Sequence, residues 1–248
     1  MLDYDKEAES YDDLRGGEPR ARAAAEAVLG LVGERQGRLL DNGCGTGIVT
    51  RWMAGARPGL RVTGVDLTPA MAGRAAARVP GAVVRGDSRQ LPFGDGAFDV
   101  VTSVWLLHLL DDPADLRAVL RECARVLRPG GTYVTTVDKA KAHDVGSDID
   151  AVLGPRPRRP ASDDPATVDA YAAEAGLVRT GQARFSGVGQ GRSPRRTIKD
   201  LRRGWFTLLP PGEPRTEEFA ARLARLPDQD RPRPDPVFTL HAYRRSGR

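Results

Sequence analysis

The segment Leu39-Leu40-Asp41-Asn42-Gly43-Cys44-Gly45-Thr46-Gly47 decides how the chain is read. A short apolar run over 38–41 stops at a cluster of glycines, and helical character resumes over 48–56. In an open parallel sheet, ligands bind where strands end and helices begin. Glycines there let the backbone approach a ligand, and the following helix N-terminus favours negative charge. A phosphate loop needs Gly-Lys-Ser/Thr after four intervening residues, and the chain has no such run. A dinucleotide fingerprint counted from Gly43 needs Gly or Ala at 48, where Ile48 stands; counted from Gly45 it meets Thr50. What remains is acid-x-Gly-x-Gly-x-Gly, led by Asp41. A carboxylate at the mouth of this turn suits a cationic amine and repels a pyrophosphate, so the expected ligand is a nucleoside that bears an amino acid.

Two further acids end the next two expected strands. Asp66 closes the alternating run 60–66, and its carboxylate can accept both hydroxyls of a ribose. Asp87 closes 82–85 through Gly86 and can accept from an exocyclic amine of adenine. Taken singly, each acid reads as a helix cap or a solvated turn. Their joint spacing at successive strand ends points to one ligand.

The pattern extends in both directions. Helices are expected over 21–32, 48–56, 69–78 and 113–127, and strands over 38–41, 60–66, 82–85, 98–104 and 132–137. Pro129-Gly130-Gly131 stops the last of these helices. Alternating strands and helices imply a parallel sheet with helices on both faces. Beyond it, 139–165 reads as a polar loop with an arginine-proline run over 155–160. A helix over 167–175, a strand over 177–185, helices over 194–209 and 216–226 and a strand over 236–244 complete the chain.

Several ordered motifs together resemble the class I S-adenosylmethionine-dependent methyltransferases, above all the small-molecule group of the ubiquinone and menaquinone pathways. The matching segments are 39–47, Gly64-Val65-Asp66-Leu67, Gly86-Asp87-Ser88 with Leu91-Pro92-Phe93, Phe98-Asp99-Val100-Val101 through His108-Leu109, and 125–131. The resemblance covers about residues 1–138. It implies an α/β, doubly wound, mostly parallel seven-stranded sheet with an antiparallel last strand, an N-terminal lid helix and a helical insertion before the last strand. One domain would span 1–248: a lid (1–18), a cofactor-binding core (19–137), a loop (138–165) and a C-terminal part (166–248) with a helical cap (194–226).

The resemblance also assigns roles. Gly43, Gly45 and Gly47 would line the methionine part of S-adenosyl-L-methionine, with Asp41 supporting its amine. Asp66 would hold the ribose, Leu67 would cover the adenine, and Asp87 and Ser88 would address its edge. Ser103 and Val104 would lie beneath the sulfonium. Asn42 stands where the family often has an apolar or another small residue, with little effect expected on binding. Tyr4 and Tyr11 are seven apart, two helical turns, and share a face of the segment expected to fold over the cofactor.

Methyl transfer needs alignment first, and a base only when the nucleophile carries a proton of unsuitable pKa. His143, in the loop after the fifth strand, is the best-placed base; His108 and His241 read as structural. Cys44 is committed to the backbone of the turn. No His or Cys cluster has metal-ligand spacing, so no metal is expected. Trp205, Phe206, Leu208 and Leu209 beside Arg195, Arg196, Arg202 and Arg203 suit a hydrophobic acidic substrate or, more simply, a packed helix with a solvated face.

Composition bounds the rest. The chain has 248 residues, 40% hydrophobic and 29% charged, an ordinary globular balance. Its longest apolar stretch, 104–110, is far short of the ~20 residues of a membrane span, and the acidic start is no secretory signal. Two cysteines make no disulfide framework, and a cytoplasmic location is expected. The net charge of +5 comes from arginine-rich usage, with nineteen bases against eleven acids in 156–248. The reading is therefore a small-molecule methyltransferase with no membrane contact, a homodimer being compatible with it. An RNA methyltransferase that uses the basic last third is the first alternative, although no Asn/Asp-Pro-Pro-aromatic motif or appended RNA module occurs. A cofactor-binding protein with a different reaction is the second.

Overall fold

Successive residues of the central strands are apolar, and this doubles the core. Leu39 and Leu40, and likewise Val100 and Val101, point to opposite faces of a strand, so both faces must be covered. The computed structural model describes residues 3–154, 161–204 and 213–247 and shows this arrangement. On one face Leu39, Val62, Val100 and Val134 pack against α3 (Gly17–Val32) and α4 (Ile48–Ala56). On the other, Leu40, Val65, Val101, Tyr133 and Tyr243 pack against α6 (Pro113–Val126) and α9 (Pro165–Glu174). Each fully buried aliphatic side chain contributes about 1.5–3 kcal/mol.

Among the described residues the sheet has seven strands: β1 (Gly37–Asn42), β2 (Leu60–Asp66), β3 (Val83–Arg85), β4 (Phe98–Ser103), β5 (Leu127–Val137), β6 (Leu177–Ser186) and β7 (Val237–Arg245). Their order is β3-β2-β1-β4-β5-β7-β6. The first five pair parallel, and β7 runs antiparallel between β5 and β6. The order reverses at β1, where the glycine turn leaves the sheet.

Three expectations need correction. The strand expected from Thr132 already pairs at Leu127, but the register jumps from Phe98↔Leu127 to Val100↔Thr132. The intervening Pro129-Gly130-Gly131 bulges out of the ladder, with Gly130 at φ 73°. The expected lid helix is instead two short helices, α1 (Tyr4–Glu7) and α2 (Tyr11–Leu14). The expected loop 139–165 holds α7 (Lys139–Ala142) and α8 (Asp148–Leu153). Ser147 and Asp150 form a capping box that starts α8. Ile149 is then buried with Leu201 of α10 (Pro194–Arg202) and Leu223 of α11 (Pro214–Leu223). The arginine-proline run 155–160 and the aromatic and leucine cluster 205–209 lie outside the described residues.

Candidate functional site

The glycine turn is held from below. The Gly43 and Cys44 amides both donate to the Val65 carbonyl, at 2.8 and 2.9 Å, and the Gly47 amide donates to the Cys44 carbonyl. All three glycines have positive φ, a conformation costly for other residues. A Cβ on Gly43 would meet Leu106 at 2.9 Å, and one on Gly47 would meet Ala75 at 2.8 Å. One on Gly45 would meet nothing within 4 Å. Open space therefore lies over Gly45, the middle of the turn.

Asp66 stands beside that space. Its Oδ2 accepts from the Gly45 amide at 2.8 Å and its Oδ1 from the Thr68 amide at 2.9 Å. Beside the open space this carboxylate remains an acceptor that a ligand hydroxyl can reach. Burial raises its pKa, and the two backbone donors oppose that rise. Leu67, the next residue, is 55% exposed. An apolar surface beside a free carboxylate face fits a nucleoside.

Asp41 sits deeper than the sequence suggests. It is buried, and its oxygens accept from the Thr50 hydroxyl (2.6 Å) and the Thr102 hydroxyl (2.9 Å). Burial raises its pKa, against the effect of those two bonds. It fastens β1 to β4 and α4. Asp87 is gripped by Arg89 at 2.7 Å, which also pairs with Asp115 at 3.1 Å, so its carboxylate is shared and its pKa is lowered by that contact. The Ser88 hydroxyl donates to Asn42 Oδ1 at 2.7 Å. Asn42 is fully buried and also donates to Cys123 Sγ; this link is not evident in the sequence. The Ser103 and Val104 side chains are both buried, and the Ser103 hydroxyl lies beside Cys123 and Tyr133.

The N-terminal segment closes over the turn. Tyr4 and Tyr11 do meet, with ring centroids 6.0 Å apart, although a turn separates their helices. Tyr4 lies close enough to Asp66 to feel its charge, and burial raises its hydroxyl pKa. The Asp5 carboxylate accepts from the Ala70 amide at the start of α5 (Pro69–Arg78). Sequence reasoning missed the strongest tie. Asp12 is buried, accepts from the Thr46 hydroxyl at 2.7 Å and pairs with Arg78 at 2.6 Å. Arg78 in turn donates to the Thr46 carbonyl at 2.7 Å. Asp12, Thr46 and Arg78 are far apart in sequence, so no local pattern reveals them.

The histidines separate by environment. His241 is buried and bonded to Asp169 and Tyr243, a structural role. His143 follows α7 with its ring edge-on to Phe238 at 5.5 Å, and it lines a narrow crevice with Asp150, Gln190 and Arg233. His108, read as structural, lies 2.5 Å from Lys139 Nζ at the same sheet edge. Part of the basic last third is paired: Arg195 with Asp230, Arg202 with Glu217, Arg215 with Glu213 and Arg233 with Asp148, while its bases still outnumber its acids. Among the described residues no group of three metal-ligating side chains comes together, and no helix is long and apolar enough to cross a membrane.

Residues 40–135 match the protein family described as "Methyltransferase domain". The demethylmenaquinone methyltransferase of Chlorobaculum tepidum is 37% identical over 113 residues, 45% of this chain and 45% of the relative. The ubiquinone biosynthesis O-methyltransferase of Xanthomonas oryzae pv. oryzae is 36% identical over 141 residues, 52% of this chain and 56% of the relative. The chain thus spans about half the length of the curated relatives it matches. In fold it is similar to the N-methyltransferase NodS of Bradyrhizobium japonicum WM9, solved with S-adenosyl-L-homocysteine. That likeness has a TM-score of 0.62 and 18% identity, and it covers 98% of this chain and 97% of NodS.

Proposed function

We propose that the chain, whose residues 40–135 match a methyltransferase domain, transfers a methyl group from S-adenosylmethionine to a small-molecule acceptor. The observation that carries the reading is the pairing of Asp66 with the Gly45 amide beneath open space. That cradle fits the cofactor: it is shaped for close backbone approach, its carboxylate can accept from a ribose, and exposed Leu67 borders it.

S-adenosylmethionine, when bound, supplies the activated methyl group. The chain's own residues bind and orient. Asp66 accepts the ribose hydroxyls while its present partners, the Gly45 and Thr68 amides, keep it in place. Gly43, Gly45 and Gly47 admit the methionine part, and Asp41 holds the strand beneath it through Thr50 and Thr102. Leu67 covers the adenine, and Asp87 meets its edge while shared with Arg89. Tyr4 and Tyr11 close over the cofactor and exclude water. Alignment of this kind lowers a barrier by up to ~7–11 kcal/mol in favourable systems.

Several C-terminal arginines already pair with acids, and we read the acceptor as a small molecule rather than RNA. Turnover that is indifferent to salt fits this, whereas a steep fall with salt would point to phosphate contacts. Calorimetric titration with S-adenosylmethionine tests the site itself. Wild type binds, and Asp66→Ala loses tenfold or more, about 1.4 kcal/mol. No binding by wild type would overturn the reading.

A further inference from the structure

Two strand ends meet over a pair of basic side chains. β4 runs out into Trp105 and β5 into Asp138, and both residues adopt left-handed backbone, φ 59° and 55°. Non-glycine residues held this way cost on the order of 1–3 kcal/mol and cluster at working sites. Here the surroundings enforce the strain. The Trp105 amide donates to the Thr136 hydroxyl, the Asp138 amide to the Asp163 carbonyl, and the Lys139 amide to Asp163 Oδ2, at 2.7, 2.7 and 2.8 Å. The outcome is Lys139 Nζ at 2.5 Å from His108 Nε2, in a part-buried pair.

The charges around this pair come from four directions. Arg15 reaches in after α2, Arg20 from α3, His143 from the end of α7, and Asp163 with Asp138 from below Lys139. Three buried polar atoms here have no hydrogen-bond partner: His108 Nδ1, Trp105 Nε1 and Arg20 Nε. A fourth, Asp163 Oδ1, belongs to the acid that carries the Lys139 amide. Orphaned buried groups cost about 1–3 kcal/mol each and call for an explanation. Three of the four are donors or can become donors, set among cations, and they suit a ligand oxygen that becomes negative. Beside them the Arg20 guanidinium lies 4.1 Å from the Trp105 ring centre, and Trp105 packs edge-on to Phe185 and Phe238.

We propose that Lys139 is the base that takes the acceptor's proton, that His108 is its positioning residue, and that the reacting atom of the acceptor is a weakly acidic hydroxyl oxygen. The proposal rests on the methyltransferase reading above. The hydroxyl O–H bond breaks and its proton goes to the lone pair of neutral Lys139 Nζ. The oxygen's electron pair forms the bond to the methyl carbon, and the carbon–sulfur bond breaks with its pair left on sulfur. His108 remains neutral, because burial and the nearby Lys139 charge lower its pKa well below the ordinary value. Burial, then Arg15 and Arg20, bring the Lys139 ammonium down to about 7, while Asp163 opposes them. The neutral amine is then present near neutrality, as a base requires.

The test uses the intact protein without cofactor first. Its four lysines are trace-acetylated with acetic anhydride across the pH range and followed by mass spectrometry. Lys139 is expected to titrate near neutrality, against about 10.4 for a free lysine, and His108→Asn to move that midpoint. 4-Nitrophenol added at mildly acid pH should show its phenolate absorption with wild type and with Lys139→Arg, but not with Lys139→Met. Turnover should fall by about 100-fold or more in both variants, since arginine binds the oxyanion but accepts no proton. An ordinary Lys139 titration, or a nitrophenol spectrum unchanged by wild type, overturns the proposal. Calorimetry with S-adenosylmethionine on the same variants separates the two readings. Intact cofactor binding with a failed lysine test removes only the base; absent binding in wild type removes the methyltransferase reading itself.

Discussion

At the residue scale, two glycines of one turn should fail in opposite ways. Gly45 and Gly47 both have positive φ, 55° and 75°, so alanine at either pays a left-handed penalty of about 1–2 kcal/mol. At 45 the new methyl enters open space. Gly45→Ala should therefore lose only that ~1–2 kcal/mol in urea unfolding, yet bind S-adenosylmethionine tenfold or more weakly. At 47 the methyl strikes Ala75 of α5 at 2.8 Å, and overpacking adds about 1–3 kcal/mol. Gly47→Ala should lose about 2–5 kcal/mol in urea unfolding. Equal behaviour of the two variants would mean that the space over Gly45 is not where ligand sits. The spacing of these glycines was legible in the sequence; their different neighbours were not. Asp41 teaches the same lesson. Its position at a strand end could be read directly, but its two threonine partners, 9 and 61 residues away, and the tie they make between elements could not.

At the element scale, local periodicity revealed the long helices and missed the short ones. A helix of four to six residues completes too few turns to show a stripe, so α1, α2, α7 and α8 are set by contacts instead. For α2 the decisive contact is Asp12 with Thr46 and Arg78. Hydrogen bonds to charged groups contribute about 1.5–3 kcal/mol. Asp12→Asn keeps an acceptor for Thr46 and loses the ion pair with Arg78. We expect faster amide exchange over residues 4–14 and weaker S-adenosylmethionine binding, with global unfolding little changed. Unchanged exchange would show that the aromatic contacts of Tyr4 and Tyr11 suffice to hold the segment. His143 and Lys139 belong to this scale too. The sequence placed a base after the fifth strand, and the fold brings Lys139, four residues earlier, against His108 from the neighbouring strand's exit.

At the scale of the whole molecule, the sheet order was readable because alternating strands and helices admit few arrangements. The return of β7 between β5 and β6 puts Phe238 beside Trp105 and His143, which no local pattern could show. The cluster so assembled has a consequence for folding. In the unfolded chain Lys139 holds its proton to about pH 10.4, whereas in the folded protein it releases it near 7. Between those values the unfolded state binds one more proton, so this group makes stability rise with pH. Burial raises the hydroxyl pKa values of Tyr4, Tyr133 and Tyr243. Their folded forms keep protons longer, which lowers stability only above about pH 10. The pKa values of the buried Cys44 and Cys123 thiols are also raised by burial, and these groups act within about pH 7–9.5. The lysine is therefore isolated by the difference between wild type and Lys139→Met in urea unfolding over that range, where the shared groups cancel. The stability of wild type relative to Lys139→Met should rise steadily over that interval. Parallel curves would mean that Lys139 stays charged in the folded protein, and a charged lysine has no lone pair with which to take an acceptor's proton.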